Sequence, residues 1–394
     1  MHEVYADHAA TTPLVPEVFE AMRPYLGADR FGNASSVHHR GEAARDAIER
    51  SRAQVAELAG ALPEEIVFTA SGSEANNLAL KGVMGLADPG RRRLVIAAIE
   101  HPSVLETARH MEAHGFAVTV VPPGANGIVD PARIAAVLAE DVALVSVQWV
   151  NNEVGTVQPI AQFAELAHAC GARFHCDAVQ AAGKLEIASG ADLVSLAGHK
   201  FHGPLGAAAL VVRRRVRVLP LIHGGHQERS RRAGTENLPA IVGFGAAAER
   251  ARNRLATEPG RIARLGARLL DGLLLAVPRT RLNGDRVLRV GSIVNLCFEG
   301  VDGEAVLHEL DRHGIIVSTG SACSAASPGP SHVLVAMGLT PEDAHASVRF
   351  SLGESNNDEE IDTILSAVPM VVQRLRGLGR MEGRARAAAD VAQK

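Results

Sequence analysis

Residues 192–212 read DLVSLAGHKFHGPLGAAALVV, in which one lysine, Lys200, separates two apolar runs that each fit a buried strand. Burying a lysine costs desolvation free energy, so a buried lysine is expected to have a chemical role for its amine. Desolvation lowers the pKa of the amine and makes its neutral form available, as a Schiff base with an aldehyde cofactor requires. A lysine whose ammonium group reaches solvent from a loop is the alternative that this stretch alone leaves open.

Strand and helix patterns alternate on both sides of this stretch. Further apolar runs predict strands at 65–69, 94–99, 118–121, 143–147 and 173–176. Helical spacing predicts helices that include 41–62 and 104–114, the second with Ser103 as its N-cap. Near-continuous apolar strands separated by helices predict an α/β fold with a mostly parallel central sheet covered on both faces.

The C-terminal third has a different pattern. An amphipathic helix is predicted at 253–275 and a strand at 292–298, which favours a second, smaller α+β domain. The predicted limits are a large domain of residues 13–255, a small domain of residues 1–12 and 256–394, and a loosely attached tail at 375–394.

Composition excludes several classes of protein. Of the 394 residues 47% are hydrophobic and 21% are charged, as in soluble globular proteins, and no apolar stretch is long enough to span a membrane. Aromatic residues make up 3% and the net charge is -4, which argues against nucleic-acid binding. No signal peptide is visible, and the 4 cysteines form no CxxC pair. A cytoplasmic protein with reduced thiols is therefore expected.

Polar residues follow the predicted strands, and ligands bind at the carboxyl ends of strands in open α/β sheets. Gly72 and Ser73 begin a helix after the strand at 65–69, where backbone N–H groups can hold a phosphate; an ordinary capped turn is the alternative. His101 follows the strand at 94–99 and could stack on a flat cofactor and move protons, or be structural.

The strongest polar signal is Asp177, directly after the strand at 173–176, with Gln180 three residues later. A buried aspartate needs a cation. An aspartate that keeps a pyridine nitrogen protonated, followed in the chain by a Schiff-base lysine, is what pyridoxal chemistry requires. Asp177 therefore favours the cofactor interpretation of Lys200.

The order of these motifs resembles the cysteine desulfurases, pyridoxal-phosphate enzymes of aminotransferase class V, over nearly the whole chain. The motifs that carry the resemblance lie at residues 7–12, 32–38, 68–77, 100–102, 150–156, 177–180, 198–200, 232–237, 320–323 and 347–353. The resemblance implies the fold type I of pyridoxal-phosphate enzymes, with a large domain around the central sheet and a smaller C-terminal α+β domain.

The resemblance also implies how pyridoxal 5'-phosphate is held. Lys200 would carry it covalently, Asp177 would pair with the ring nitrogen, Gln180 would bond the ring hydroxyl, and His101 would stack on the ring and act as an acid or base. The phosphate ligands would be Gly72, Ser73, His199 and, from the second subunit of a homodimer, Thr235.

For the substrate, L-cysteine, the resemblance implies binding by Asn33, Asn152 and Arg349. Cys323 lies in a stretch of small residues, 318–330, that we expect to be a mobile loop, which suits a thiol that enters a pocket and leaves with sulfur. Alanine would be released, and the persulfide on Cys323 would pass to an acceptor protein of iron–sulfur cluster assembly or tRNA thiolation.

One residue departs from the family pattern: Ala197 stands where a serine usually bonds the phosphate. His223 and His226 have the spacing of a metal pair, but the corresponding segment of the family is glycine-rich without metal, so no metal site is predicted. The alternatives are a selenocysteine lyase, another class V enzyme such as an aminotransferase, and a sulfur-transfer scaffold without catalysis. A dinucleotide-binding dehydrogenase is disfavoured because no strand is followed by GxGxxG.

Overall fold

The computed structural model describes residues 3–187, 190–319 and 329–392, with side chains up to residue 378. The strands are β1 Val4–Tyr5, β2 Ile66–Thr69, β3 Arg93–Ala97, β4 Ala117–Val121, β5 Val142–Gln148, β6 Arg173–Asp177, β7 Leu193–Ala197, β8 Ala208–Val212, β9 Thr280–Asn283, β10 Ile293–Phe298, β11 Ile315–Ile316 and β12 Ser347–Ser351.

Helices alternate with these strands along the chain. They are α1 Pro16–Leu26, α2 His39–Leu58, α3 Gly72–Met84, α4 Pro102–Ala113, α5 Pro131–Ala135, α6 Ile160–Ala169, α7 Gln227–Ser230, α8 Leu238–Arg254, α9 Glu258–Ala276, α10 Gly303–Arg312, α11 His332–Ala336, α12 Pro341–His345 and α13 Asp358–Ala392. Short 3₁₀ turns lie at Pro63–Glu65 and Gly198–Lys200. No described helix is long and apolar enough to cross a membrane.

Within the described residues, seven strands form the central sheet in the order β2-β8-β7-β6-β5-β3-β4. Strand β8 runs antiparallel to both of its neighbours, and every other pair is parallel. The mostly parallel α/β sheet predicted from the sequence is therefore confirmed. Because β2, β3, β5, β6 and β7 point the same way, the residues that follow them meet at one edge of the sheet.

Alternate residues of the central strands enter two hydrophobic cores on opposite faces of the sheet. Val194 and Val211 pack on the face that carries α2 and α8. Leu193 and Leu210 pack on the face that carries α3 and α4. Since both faces are covered, the short strands are apolar throughout, as parallel strands in α/β sheets are.

A separate antiparallel sheet, β12-β10-β9, packs on α9, α10 and α13 and has its own core. Val4 and Ala6 from the start of the chain belong to this core. β1 pairs with β11, which brings the first described residues next to the C-terminal part of the fold. The predicted domain limits at residues 12 and 255 stay a prediction, because a shared core does not by itself define a boundary.

Two local predictions were wrong. The single helix expected at 253–275 is divided between α8 and α9, because Pro259 fits only the first turn of a helix and therefore starts a new one. Ser103 does not cap α4; His101 does, with its Nδ1 accepting a hydrogen bond from the Ser103 N–H at 3.1 Å. The predicted loose tail begins within α13, whose backbone is helical to Ala392.

Close packing at α9 gives a testable consequence. A Cβ on Gly266 would overlap the carbonyl oxygen of Gly291, whereas a Cβ on Gly260, in the first turn of the same helix, would meet no atom within 4 Å. We expect Gly266→Ala to lower the free energy of unfolding by about 1–3 kcal/mol, as overpacking does. Gly260→Ala should leave it equal or raise it by up to about 1 kcal/mol. Urea unfolding of both variants measures this; equal stabilities would contradict the packing.

Candidate active site

A cavity of about 300 Å³ lies at the edge of the central sheet where the parallel strands end. It gathers nine of the predicted site residues, and these are Gly72, Ser73, His101, Asn152, Asp177, Gln180, His199, Lys200 and Arg349. The motifs that the sequence placed at separate strand ends therefore line one cavity.

Lys200 ends the 3₁₀ turn that follows β7. Its Nζ donates hydrogen bonds to the carbonyl oxygens of Ala9 at 2.7 Å and Ala10 at 2.8 Å. The turn depends on Gly198, because a Cβ there would lie 2.9 Å from the Phe244 ring. The N-terminal segment and the turn thus hold the lysine amine at the wall of the cavity.

Asp177 is a buried carboxylate, 6% exposed, at the end of β6. Its Oδ2 accepts from Asn76 Nδ2 at 2.7 Å, and its Oδ1 accepts from the Val179 N–H at 3.0 Å. Both donors are neutral, and no ion pair to Asp177 occurs among the residues that the structure describes. A buried carboxylate that faces a cavity without a cation fits a ligand with a protonated ring nitrogen, as pyridoxal phosphate has.

His101 stands beside Asp177 as the N-cap of α4. Its Nδ1 lies 2.8 Å from Ser103 Oγ and 3.1 Å from the Ser103 backbone N–H. Burial lowers the pKa of the His101 ring; Asp177 opposes this shift and Lys200 adds to it. The ring is therefore neutral at neutral pH, and because Nδ1 accepts a hydrogen bond its proton lies on Nε2.

The start of α3 forms the phosphate end of the cavity. Ser71 caps the helix, and a Cβ on Gly72 would lie 3.0 Å from the Val179 side chain and 3.5 Å from the Ala197 Cβ. The glycine therefore leaves a recess at the N-terminus of a 13-residue helix, where backbone N–H groups favour an anion. The Ala197 methyl group, close to this recess, offers no donor.

His199 lines the same cavity, with its Nδ1 3.2 Å from Thr11 Oγ1. Burial and the nearby Lys200 lower its pKa to about 4. The ring is therefore a neutral hydrogen-bonding group at neutral pH, and it can donate to a phosphate without adding a charge.

Arg349 comes from β12 of the second sheet and is 1% exposed. Its guanidinium donates to Asp7 Oδ1 at 2.6 Å and to the Asn152 carbonyl oxygen at 2.9 Å. A buried guanidinium at the wall of a cavity suits a substrate carboxylate, which it can bind through two parallel hydrogen bonds. The Asp7 carboxylate balances the positive charge of the Arg349 side chain. No role was predicted for Asp7.

Asn76 and His332 also line the cavity and received no role from the sequence. Asn76 bonds both Asp177 and Ser103 Oγ, the latter at 2.9 Å, so it orients the carboxylate and the His101 partner together. The signal for Asn76 was present, since it lies three residues after Ser73 on the same helix face. His332 Nε2 lies 2.9 Å from the Glu100 carbonyl oxygen, and no periodicity marked it.

Two predicted residues, Asn33 and Thr235, do not line this cavity, and a third predicted residue is not described by the structure. Asn33 and Thr235 are exposed and do not line the cavity of the single chain; Asn33 Oδ1 accepts from the Ser35 N–H at 2.9 Å. Cys323 lies outside the residues that the structure describes. Their roles stay predictions. No group of metal-binding side chains occurs among the described residues, which include His223 and His226.

His175 lies beneath the site, fully buried, with Nδ1 2.8 Å from Ser146 Oγ and Nε2 2.9 Å from Ser195 Oγ. Burial lowers its pKa from 6.5 to about 4, against the opposing effect of Asp177. Unfolding therefore takes up a proton between these pH values, and stability falls as the pH drops from 6.5 to 4. We expect this histidine to contribute a loss of up to about 3 kcal/mol.

The variant His175→Gln tests whether His175 causes this loss of stability at low pH. At pH 6.5 it should be less stable than the parent, because the hydrogen bonds change, but its free energy of unfolding should fall less steeply toward pH 4. His345→Gln, at an exposed histidine, is the control and should keep the parent slope. If the free energy of unfolding of His175→Gln depended on pH as steeply as that of the parent, the lowered pKa of His175 would be contradicted.

Comparison with known proteins places the chain among relatives of the same length. The aminotransferase class-V family matches residues 4–364. "Cysteine desulfurase IscS" of Methanosarcina thermophila is 43% identical over 378 residues, which cover 95% of this chain and 93% of that protein. A cysteine desulfurase of Klebsiella pneumoniae is 44% identical over 384 residues, covering 96% and 95%.

Solved structures of similar proteins superpose on nearly the whole of this chain. A NifS-like protein superposes with a TM-score of 0.89 at 33% identity, covering 95% of this chain and 100% of that one. A structure described as SspA in complex with cysteine superposes with a TM-score of 0.79 at 36% identity, covering 89% of this chain and 98% of that one.

Proposed function

The chain belongs to the class-V aminotransferase family and, within it, to the cysteine desulfurases, and we propose that it transfers the sulfur of L-cysteine to Cys323 and releases L-alanine. The observation that supports this most strongly is one cavity with the Lys200 amine, the buried and uncompensated Asp177 carboxylate and the Arg349 guanidinium in its wall. Pyridoxal phosphate is the cofactor of this family.

The residues present fit that cofactor. We propose that Lys200 holds it covalently, that Asp177 meets its ring nitrogen, and that the recess at Gly72 and Ser73, with His199, holds its phosphate. Gln180, whose Nε2 donates to the Ala9 carbonyl oxygen at 2.8 Å, is assigned to the ring hydroxyl. Bound in this way, pyridoxal phosphate supplies an electron sink beside the Cα of the substrate.

The side chains then divide the remaining work. Arg349, with Asn152, binds the substrate carboxylate and fixes which bond faces the cofactor. The Lys200 amine removes the Cα proton, and the neutral His101 ring donates a hydrogen bond through its Nε2, which carries the ring proton because Nδ1 accepts from the Ser103 N–H. Asn33 is assigned to the substrate on the resemblance alone.

We propose that the Cys323 thiolate attacks the substrate sulfur. A sulfur–sulfur bond forms on Cys323, the carbon–sulfur bond of the substrate breaks, and its electron pair stays on the carbon, which takes up a proton to give alanine. Cys323 is thereby oxidised to a persulfide and the substrate carbon is reduced. The thiolate is the nucleophile in such exchanges, which makes a reactive cysteine necessary.

Incubation of the purified holoenzyme with L-cysteine tests this function. We expect equal amounts of alanine and, with a reductant present, sulfide. Cys323→Ala should release neither, whereas Cys170→Ala, which removes a half-buried free cysteine, should react as the parent does. Release of a keto acid instead of alanine would indicate an aminotransferase, and faster turnover of selenocysteine with no dependence on Cys323 would indicate a selenocysteine lyase. The absence of any reaction would indicate a scaffold.

Ala197 gives a prediction about cofactor retention. It ends β7, is buried, and lies close to the phosphate recess at Gly72. We expect Ala197→Ser to add one hydrogen bond to a charged acceptor, about 1–2 kcal/mol, and to lower the Kd for pyridoxal phosphate about tenfold. Ala197→Gly, which adds no donor, is the control. Dialysis followed by fluorescence titration measures the Kd; equal affinities of Ala197→Ser and the parent would contradict the prediction.

We further propose a homodimer in the cytoplasm. Large apolar side chains are exposed along the N-terminal segment, with Phe31 56% and Val37 100% exposed, and a second copy would cover them. Thr235, outside the cavity of its own chain, would then reach the phosphate of the partner. Light scattering tests this: a monomer at the concentration of the activity assay would contradict it.

The acceptor of the sulfur is proposed to be a protein of iron–sulfur cluster assembly or of tRNA thiolation. The support for an acceptor is the similarity to the relatives named above. Incubation of the enzyme, charged with labelled L-cysteine, with a purified acceptor of each kind distinguishes the two. Label that stays on the enzyme with both acceptors would contradict the proposal.

A further inference from the structure

A second cavity of about 330 Å³ lies against the first. The two cavities share Ala9, Gln180 and Lys200, so the lysine stands in the wall between them. The second cavity lies between the end of α8, the start of α9 and the chain that flanks β10 and β12. Nothing in the reaction proposed above uses it.

Lys184 is a basic side chain in this cavity with no role in the reaction. Its Nζ donates to the carbonyl oxygen of Gln180 at 3.1 Å and to Gln180 Oε1 at 3.2 Å, both neutral acceptors. No ion pair to Lys184 occurs among the residues that the structure describes. Burial, with a smaller effect from Lys200, lowers its pKa to about 7. The acceptors of the Lys184 ammonium group in the described chain are thus neutral, and no anion is paired with it there.

Arg289 enters the cavity from the other side. It donates through Nη2 to the Ile293 carbonyl oxygen, while its Nε and Nη1 have no hydrogen-bond partner in the described chain. Burial lowers its pKa to about 10, although the charge of Asp285 opposes the shift. Ser292, 7% exposed and also in the wall, has a hydroxyl without a partner in the described chain.

The carboxylates in the wall are already engaged. Glu354 accepts two hydrogen bonds from Arg250, at 2.9 and 2.7 Å. Glu258 pairs with Arg254 at 3.1 Å and with Arg261 at 3.0 Å. These pairs leave neither wall carboxylate free for Lys184 or Arg289, and Arg289 is compensated only in part by Asp285, which lies outside the wall, so the cavity favours an anion.

Much of the remaining wall is apolar, with side chains that include Leu185, Phe201 and Ile262. An inorganic anion would leave these surfaces unfilled, whereas a carboxylate with a short hydrocarbon body matches both the charge and the apolar wall. We propose that this second cavity binds a small organic carboxylate, whose oxygens meet Lys184, Arg289 and Ser292. The proposal concerns binding only and does not depend on the sulfur-transfer reaction.

Isothermal titration of the holoenzyme tests the site, with sodium butyrate as the probe at constant ionic strength and butyramide and inorganic phosphate as comparisons. We expect saturable binding of butyrate and at least about tenfold weaker binding of uncharged butyramide, which loses the charge-assisted contacts. No saturable binding of butyrate, or tighter binding of phosphate than of butyrate, overturns the proposal.

Variants locate the bound probe. Lys184→Met should weaken butyrate binding about tenfold. Lys81→Met, at a lysine on α3 outside both cavities, should not change it. If Lys184→Met does not fold, Ser292→Ala, which removes one donor, and Ala251→Leu, which fills the apolar part, replace it and should both weaken binding. Binding that survives these changes but is lost in Arg349→Gln places butyrate in the substrate cavity and overturns the proposal.

Discussion

Replacing Lys200 by alanine is expected to lower the rate of alanine formation from L-cysteine at least about 10⁴-fold, since the variant loses both the covalent link to the cofactor and the base for the Cα proton. The structure gives the reason for so large an effect. The Lys200 amine is held at the cavity wall by the carbonyl oxygens of Ala9 and Ala10, and the other lysine nearby, Lys184, is tied to Gln180 and cannot replace it.

Borohydride treatment gives a second readout of the same variant. In the parent holoenzyme it should attach the cofactor to the peptide that carries Lys200, and in Lys200→Ala it should attach no cofactor to any peptide. Lys81→Ala is the control, with parental rate and labelling. A Lys200→Ala protein that keeps a tenth of the parental rate, or labelling of another lysine in the parent, would contradict the assignment.

Replacing Asp177 by alanine is expected to lower the same rate about 10³-fold, because a ring nitrogen without an adjacent carboxylate loses its proton and with it the electron sink. Asp177 is 6% exposed, and in the part of the chain that the structure describes its side chain has only neutral partners, Asn76 and the Val179 N–H, so its charge is available to the cofactor. The cofactor absorbance of the variant should shift, which a change in folding alone would not produce.

Asn76→Ala is the matched comparison for Asp177. It keeps the carboxylate and removes one hydrogen bond to it, so we expect a decrease of about tenfold rather than a thousandfold. Similar rates for Asp177→Ala and Asn76→Ala would mean that Asp177 acts through its packing and not through its charge.

The sequence was sufficient for the fold class and for most of the cavity because the relevant signals are local. One apolar strand ends at Asp177, and two others end three residues before Lys200 and four residues before His101, which places each side chain at the same edge of a parallel sheet. The antiparallel direction of β8 is not visible in this way, since Ala208–Val212 is as apolar as its parallel neighbours. The break between α8 and α9 had a local signal, Pro259, that the amphipathic pattern obscured.

Other features depend on contacts between distant residues. Arg349 meets Asp7 across 342 positions of the chain, and no pattern near either residue indicates the pair. The second cavity likewise combines Lys184 with Arg289 and Ser292, whose basic and polar character is unremarkable in their own segments. Thr235 stays a prediction because one chain does not contain the partner's cavity that it is expected to reach, and Asn33 stays a prediction because it does not line the cavity of its own chain.

The most direct test of the sulfur-transfer reaction is the position of the sulfur after one turnover. Holoenzyme is incubated with L-cysteine without reductant or acceptor, digested, and analysed by mass spectrometry. We expect one additional sulfur atom on the peptide that contains Cys323, in an amount equal to the alanine formed, and none on peptides that contain Cys170, Cys176 or Cys297. Additional sulfur on one of those three cysteines, or undiminished alanine formation by Cys323→Ser, would contradict the account.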